Sequence, residues 1–141
     1  MKSPLSDFQN LNSSDVSQLW QLSQLYRQLG KIQASLSFAY NAIQKETNSQ
    51  QRYRNYYLET IRLGAEFAEE IEDYPRAVYY WEQLVQQQPD NFSAWYGLGL
   101  AKANIEDYQG AEMALTRAFQ LEPTHQKVRS HLAEIQQLLT L

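Results

Sequence analysis

Asn91–His125 reads NFSAWYGLGLAKANIEDYQGAEMALTRAFQLEPTH. Two apolar-periodic runs occupy it. Trp95, Leu98, Gly99, Leu100 and Ala103 form the first, and Ala111, Leu115, Ala118 and Phe119 the second. Glu106, Asp107 and Tyr108 turn the chain between them, and Pro123 closes the unit. The same arrangement stands 34 residues upstream, where Tyr74 answers Tyr108, Ala77 answers Ala111, Trp81 answers Leu115 and Pro89 answers Pro123. A fixed period of this size implies stacked helix pairs, because one pair cannot bury its apolar face alone.

At these residues the sequence resembles the tetratricopeptide repeat family. Trp95, Leu98 and Gly99 stand for its Trp and Leu-Gly, Ala111 for its small crossing residue, and Pro123 for its closing Pro. Lys102 replaces the aromatic after Leu-Gly, and Leu115 the later aromatic. The resemblance implies an all-α fold, a right-handed superhelix of three helix-turn-helix repeats with a C-terminal end helix. It also implies an interaction scaffold (an adaptor, an assembly factor or a chaperone-like holder) that takes a partner segment in a concave groove. Fold-level likeness does not name the task. Small three-repeat chaperones of the type III secretion apparatus look similar at Trp95–Leu100 (WYGLGL), which makes a chaperone for a secreted substrate the alternative.

A chain of 141 residues suits one domain with a useful core. It has no cysteine, which excludes disulfides and thiolate metal sites and fits a reducing compartment. Met1–Asn10 shows no secretory pattern, and no apolar run approaches the ~20 residues that span a bilayer. The expectation is a cytoplasmic protein, or the soluble domain of a larger anchored one. The net charge of −4 is unevenly laid out. Residues 1–57 carry six basic and three acidic side chains, residues 58–110 three basic and ten acidic, and residues 111–141 balance. That layout disfavours nucleic acid, which calls for a broad basic surface.

Taken in order, residues 1–14 read as a flexible polar tail before a repeat domain over 15–141. Asp15 and Gln18 suit a capping box, and Leu19, Leu22, Leu25, Tyr26 and Leu29 lie at helical spacing up to Gly30. Ile32, Leu36, Ala39, Tyr40 and Ile43 mark a second helix. Together they make a divergent repeat at 16–49, with Ser35 at the crossing and Thr47 where the closing Pro belongs. The next repeats fall at 58–91 and 92–125. Residues 50–57 are then an eight-residue surplus with no Gly or Pro to separate them. The spacing therefore predicts one helix from about Gln50 to Glu72, roughly 34 Å long. Pro75 suits the first turn of its partner helix. Thr124 opens the last element, an end helix over 126–141 that carries Val128, Leu132, Ile135 and Leu139. Its apolar tail, Leu138, Leu139 and Leu141, is expected to fold back on the last repeat; packing on a second copy is the other reading.

The resemblance places the first helix of each pair along the groove. Trp20, Gln24 and Arg27 would line it from the first repeat, Arg62, Glu66, Glu69 and Glu70 from the second, Tyr96 and Asn104 from the third, and Lys127 from the end helix. Trp20 and Tyr96 are candidate anchors, since aromatics dominate binding when desolvated; each could equally be core. Glu66, Glu69, Glu70 and Asp73 share a helical face that would favour a basic partner, against the plainer reading of a solvated surface. These carboxylates lack the Gly turn and ligand spacing of a calcium loop, so neither metal nor cofactor is expected. The Arg52, Tyr53, Arg54, Tyr56 and Tyr57 cluster is explained by a helix extension packing Tyr53 and Tyr57 on the first repeat. His125 and His131 form no HExxH motif, and Gly97 and Gly99 lie within a helix rather than a phosphate loop, so no enzyme is expected. Some family members grip a chaperone's C-terminal carboxylate; the matching places hold Arg62, Glu66, Gly97, Lys127 and His131, where a Glu and a Gly replace two donors.

Overall fold

The computed structural model describes residues 16–45 and 50–141. The polar segment 1–14, the Asp15 cap and Thr47 lie outside the described residues. Among those described there are seven α-helices and no strand: α1 Val16–Gln28, α2 Ile32–Lys45, α3 Gln50–Glu70, α4 Tyr74–Gln87, α5 Phe92–Asn104, α6 Tyr108–Leu121 and α7 Gln126–Leu139. The all-α architecture is three helical hairpins followed by an end helix. The chain divides into two compact units, Met1–Thr60 and Ile61–Leu141, and α3 runs from the first into the second.

All three hairpins turn in the same way. Gly30, Glu72 and Glu106 take left-handed φ values of 75°, 60° and 64°. The following N–H reaches back five residues, from Lys31 to the Tyr26 carbonyl, Asp73 to Ala68, and Asp107 to Lys102, at 2.8–2.9 Å. This pattern satisfies carbonyls that a helix end otherwise leaves unpaired. Asp73 and Asp107 then cap the next helix, accepting from the N–H of Arg76 and Gly110. Pro75 sits in the first turn of α4, where its missing N–H costs nothing. Glu72 and Glu106 are 34 positions apart, whereas Gly30 precedes Glu72 by 42. The difference of eight is taken up within α3, a 21-residue helix about 31 Å long. It ends at Glu70 rather than Glu72, because the left-handed turn needs Glu72 outside the helix.

In the first unit α1 packs on α2. Leu19, Leu22, Leu36, Ala39 and Ala42 are buried, and Tyr53 joins them from the start of α3. Val16, Trp20, Phe38 and Ile43 pack against the Leu19–Ala42–Tyr53 cluster. The sidechains of Ser23 and Ser35 are fully buried, and each hydroxyl donates to the other residue's carbonyl at 2.8 Å. Two members of the expected apolar stripes are instead exposed. Leu29 lies where α1 gives way to the turn, and Tyr40 points outward with its ring 6.1 Å from that of Tyr57.

In the second unit α4 packs on α5, α5 on α6, and α6 on α7. Ala77, Trp81, Leu84, Leu98, Leu115, Val128 and Ile135 form much of its core. Burying each large side chain among them contributes about 1.5–3 kcal/mol. The glycines of α5 are sockets. A β-carbon at Gly97 would lie 2.6 Å from the Trp81 ring, and one at Gly99 would lie 2.6 Å from Leu115. The last helix starts at Gln126, with His125 acting as its cap: the imidazole Nδ1 accepts from the Val128 N–H at 3.3 Å. Leu138, Leu139 and Leu141 are exposed rather than folded back. Ile135 already packs beside Ala111, in the first turn of α6, so a further turn of α7 outruns its neighbour.

Candidate partner-binding surface

The first unit places Trp20, Gln24 and Arg27 along one stripe of α1, by their three- and four-residue spacing. Gln24 is exposed. Trp20 is half-buried, with its ring 4.7 Å from that of Tyr53 and 4.4 Å from that of Tyr56. Arg27 lays its guanidinium over the same Tyr56 ring, 4.7 Å from the centroid, and its Nη2 lies 3.5 Å from Glu59 Oε1. Trp20 and Arg27 therefore meet through Tyr56, a residue that sequence reasoning assigned no part of this surface. Tyr53 packs on the first hairpin as expected, and Tyr56 joins it there.

In the second unit Arg62 donates to Glu66 at 2.6 Å, an exposed pair one helical turn apart. Such pairs contribute little to stability, about 0.3–0.5 kcal/mol. Glu69 differs from its neighbours. It is half-buried and accepts a 2.6 Å hydrogen bond from the Trp81 indole N–H. Desolvation raises its carboxyl above the ordinary 4.5; the Trp81 hydrogen bond opposes this and the nearby Glu66 charge adds to it. A buried indole N–H needs an acceptor, and Glu69 provides one. Glu70 is exposed.

Tyr96 is half-buried in a ring cluster. Its centroid lies 5.9 Å from Phe92, 5.7 Å from His125 and 5.9 Å from His131, and it packs beside the Ala111–Leu115–Ile135 core. Burial raises its phenol above the ordinary 10.0. The two histidines, which form no HExxH motif and of which His131 matches a place in the carboxylate grip, are thus the setting of this tyrosine. His131 also faces Glu134, at 3.8 Å. Asn104 is exposed and turns its amide onto the Leu100 carbonyl of its own helix, and Lys127 is exposed on α7. Gly97, one of the positions matching a carboxylate grip, has no room for a donor side chain because Trp81 fills that space.

Comparison with known proteins agrees with this architecture. A sequence model of the tetratricopeptide repeat matches residues 92–125. A PEX5-related protein of Rattus norvegicus is 36% identical over 55 residues, 39% of this chain and 9% of that protein's length. Among solved structures, the first TPR of Spaghetti (RPAP3), bound to the HSP90 peptide SRMEEVD, superposes with a TM-score of 0.58 at 16% identity. That match covers 93% of this chain and 98% of the other. The C-terminal TPR-containing domain of a Plasmodium falciparum FK506-binding protein gives a TM-score of 0.63 at 14% identity, covering 94% and 96%. The chain carries a tetratricopeptide repeat at residues 92–125 and has the fold of proteins built from that repeat.

Proposed function

We propose that the chain is a protein-interaction module that binds a segment of another protein, as an adaptor, assembly factor or chaperone-like holder, and has no catalytic role of its own. Its second unit offers Tyr96 as the anchor, with Asn104 and Lys127 as polar contacts. Glu66, Glu69 and Glu70, with Arg62 paired to Glu66, give that unit a mainly acidic helix face suited to a basic segment. The first unit offers Trp20, Gln24 and Arg27. The observation that carries the reading is Tyr96: a large ring held half-buried by Phe92, His125 and His131 presents contact area whose rotamer freedom folding has already removed. The similar repeat domain bound to a peptide supports the same reading. Pull-down from native cells with wild type, Tyr96→Ala and Glu66→Lys tests it. Tyr96→Ala should lose partners, and Glu66→Lys should change the salt at which they elute. Recovery of the same partners at the same salt by both variants removes the assignment.

A second reading is self-association through α7. It is favoured by the exposure of Leu138, Leu139 and Leu141, three large apolar side chains at one end of the helix. Sedimentation over a concentration series should then show assembly that Leu138→Ser with Leu139→Ser abolishes. A monomer throughout removes this reading.

A further inference from the structure

The Arg27–Glu59 pair has the geometry of an occupied subsite. The Arg27 side chain is only 23% exposed and its guanidinium is steadied on the Tyr56 ring. Its partner Glu59 is 55% exposed, and the 3.5 Å separation exceeds the 2.7–2.9 Å of a strong N–H to carboxylate bond. A guanidinium steadied on an aromatic ring, on a largely buried side chain, thus faces a loose, solvated carboxylate. Exposed carboxylates held this way contribute little and exchange readily. A planar fork that is already oriented binds a better-placed carboxylate through two parallel hydrogen bonds.

We infer that Arg27 receives an Asp or Glu side chain of the partner segment, and that Glu59 is the chain's own stand-in, displaced on binding. Seven residues of α1 separate Trp20 from Arg27, about 10 Å at 1.5 Å per residue. A segment in the polyproline II conformation, with three residues per turn and about 3.1 Å rise, covers about 9 Å in one turn and brings the side chains three positions apart back to the same face. The segment is therefore one in which an apolar side chain, set against Trp20, and an acidic one, set on Arg27, stand three positions apart. The exposed Gln24 between them can bond the segment's backbone.

This rests on the reading of the chain as a segment-binding module. The test is fluorescence anisotropy of the full chain with labelled, end-blocked decapeptides holding one Leu and one Glu three positions on. The wild type should bind this peptide, and changing its Glu to Gln, or moving its Leu by one position, should weaken binding about tenfold. Arg27→Gln should lose the preference for Glu, and Glu59→Gln, which removes the internal competitor, should bind several-fold tighter. Equal binding of the Glu and Gln peptides, an unchanged Arg27→Gln, no gain in Glu59→Gln, or no binding at all each overturns the inference. Binding of the same peptide only when its C-terminus is left unblocked overturns it too. If Arg27→Gln melts early, the peptide changes and Glu59→Gln still decide. Partners captured from cells and lost in Tyr96→Ala, without any Glu preference, would remove this inference while keeping the module reading.

Discussion

Ser23 and Ser35 exchange hydrogen bonds: each hydroxyl donates to the other's backbone carbonyl at 2.8 Å, and the two oxygens lie 3.1 Å apart. They occupy the crossing of α1 and α2, the place that Gly99 and Ala111 hold in the last hairpin. Small side chains allow close approach there, and the hydroxyls add direction to it. Ser23→Ala or Ser35→Ala should each cost about 1 kcal/mol in urea unfolding. The double variant should cost less than the sum, because the hydroxyls contact each other. Strict additivity would show the two bonds to be independent.

Glu69 gives a pH dependence with a definite sign. Its folded-state carboxyl titrates above the ordinary 4.5, so the folded state holds the proton more tightly than the unfolded one. The stabilisation this brings is complete below the unfolded value and is lost as pH rises through the folded one. Glu69→Gln keeps an acceptor for Trp81 without the charge. Its stability relative to wild type should therefore improve between pH 4 and pH 7. A fall in the stability of the variant relative to wild type over that range would reverse the assigned sign.

The left-handed turns predict opposite outcomes for two kinds of change. Glu72→Gly and Glu106→Gly relieve a conformation that costs an L-residue of order 1 kcal/mol, and each should raise stability by about 0.5 kcal/mol. Gly30→Ala should lower it by about 1 kcal/mol, since it creates the same strain. Thermal melts of the three single variants check the pair of signs.

Gly97→Ala pushes a methyl group against the Trp81 ring, which is also held by its bond to Glu69. The overpacking should cost about 1–3 kcal/mol and shift the Trp81 emission. Relaxation by a tilt of the ring would show as a shifted spectrum with little loss of stability.

Much of the fold was legible because the code is periodic. The IEDY segments at 71–74 and 105–108 repeat at 34 residues and hold both the left-handed Glu and the capping Asp. The surplus of α3 followed from the same count. Contacts that cross a hairpin were less legible. Glu69 meets Trp81 twelve residues on, and a charged face reads the same whether its carboxylate is solvated or bound to an indole. The histidines around Tyr96 belong to a cap and a helix that sequence treated only as an end. Tyr56 was missed beside Tyr53 and Tyr57 because three tyrosines within five residues offer several faces at once.

Gly97 and Gly99 lie about 200° apart around the α5 axis at 3.6 residues per turn. One receives Trp81 from α4 and the other Leu115 from α6, so the helix is seated like an axle between two bearings. A roll or slide of the helix drives the Leu115 side chain or the Trp81 ring out of its seat. Tyr96 is carried on that axle, next to the first bearing. If Tyr96 is the anchor proposed above, a partner that settles on it would meet a helix already seated on both sides, and little of its affinity would go into ordering that helix.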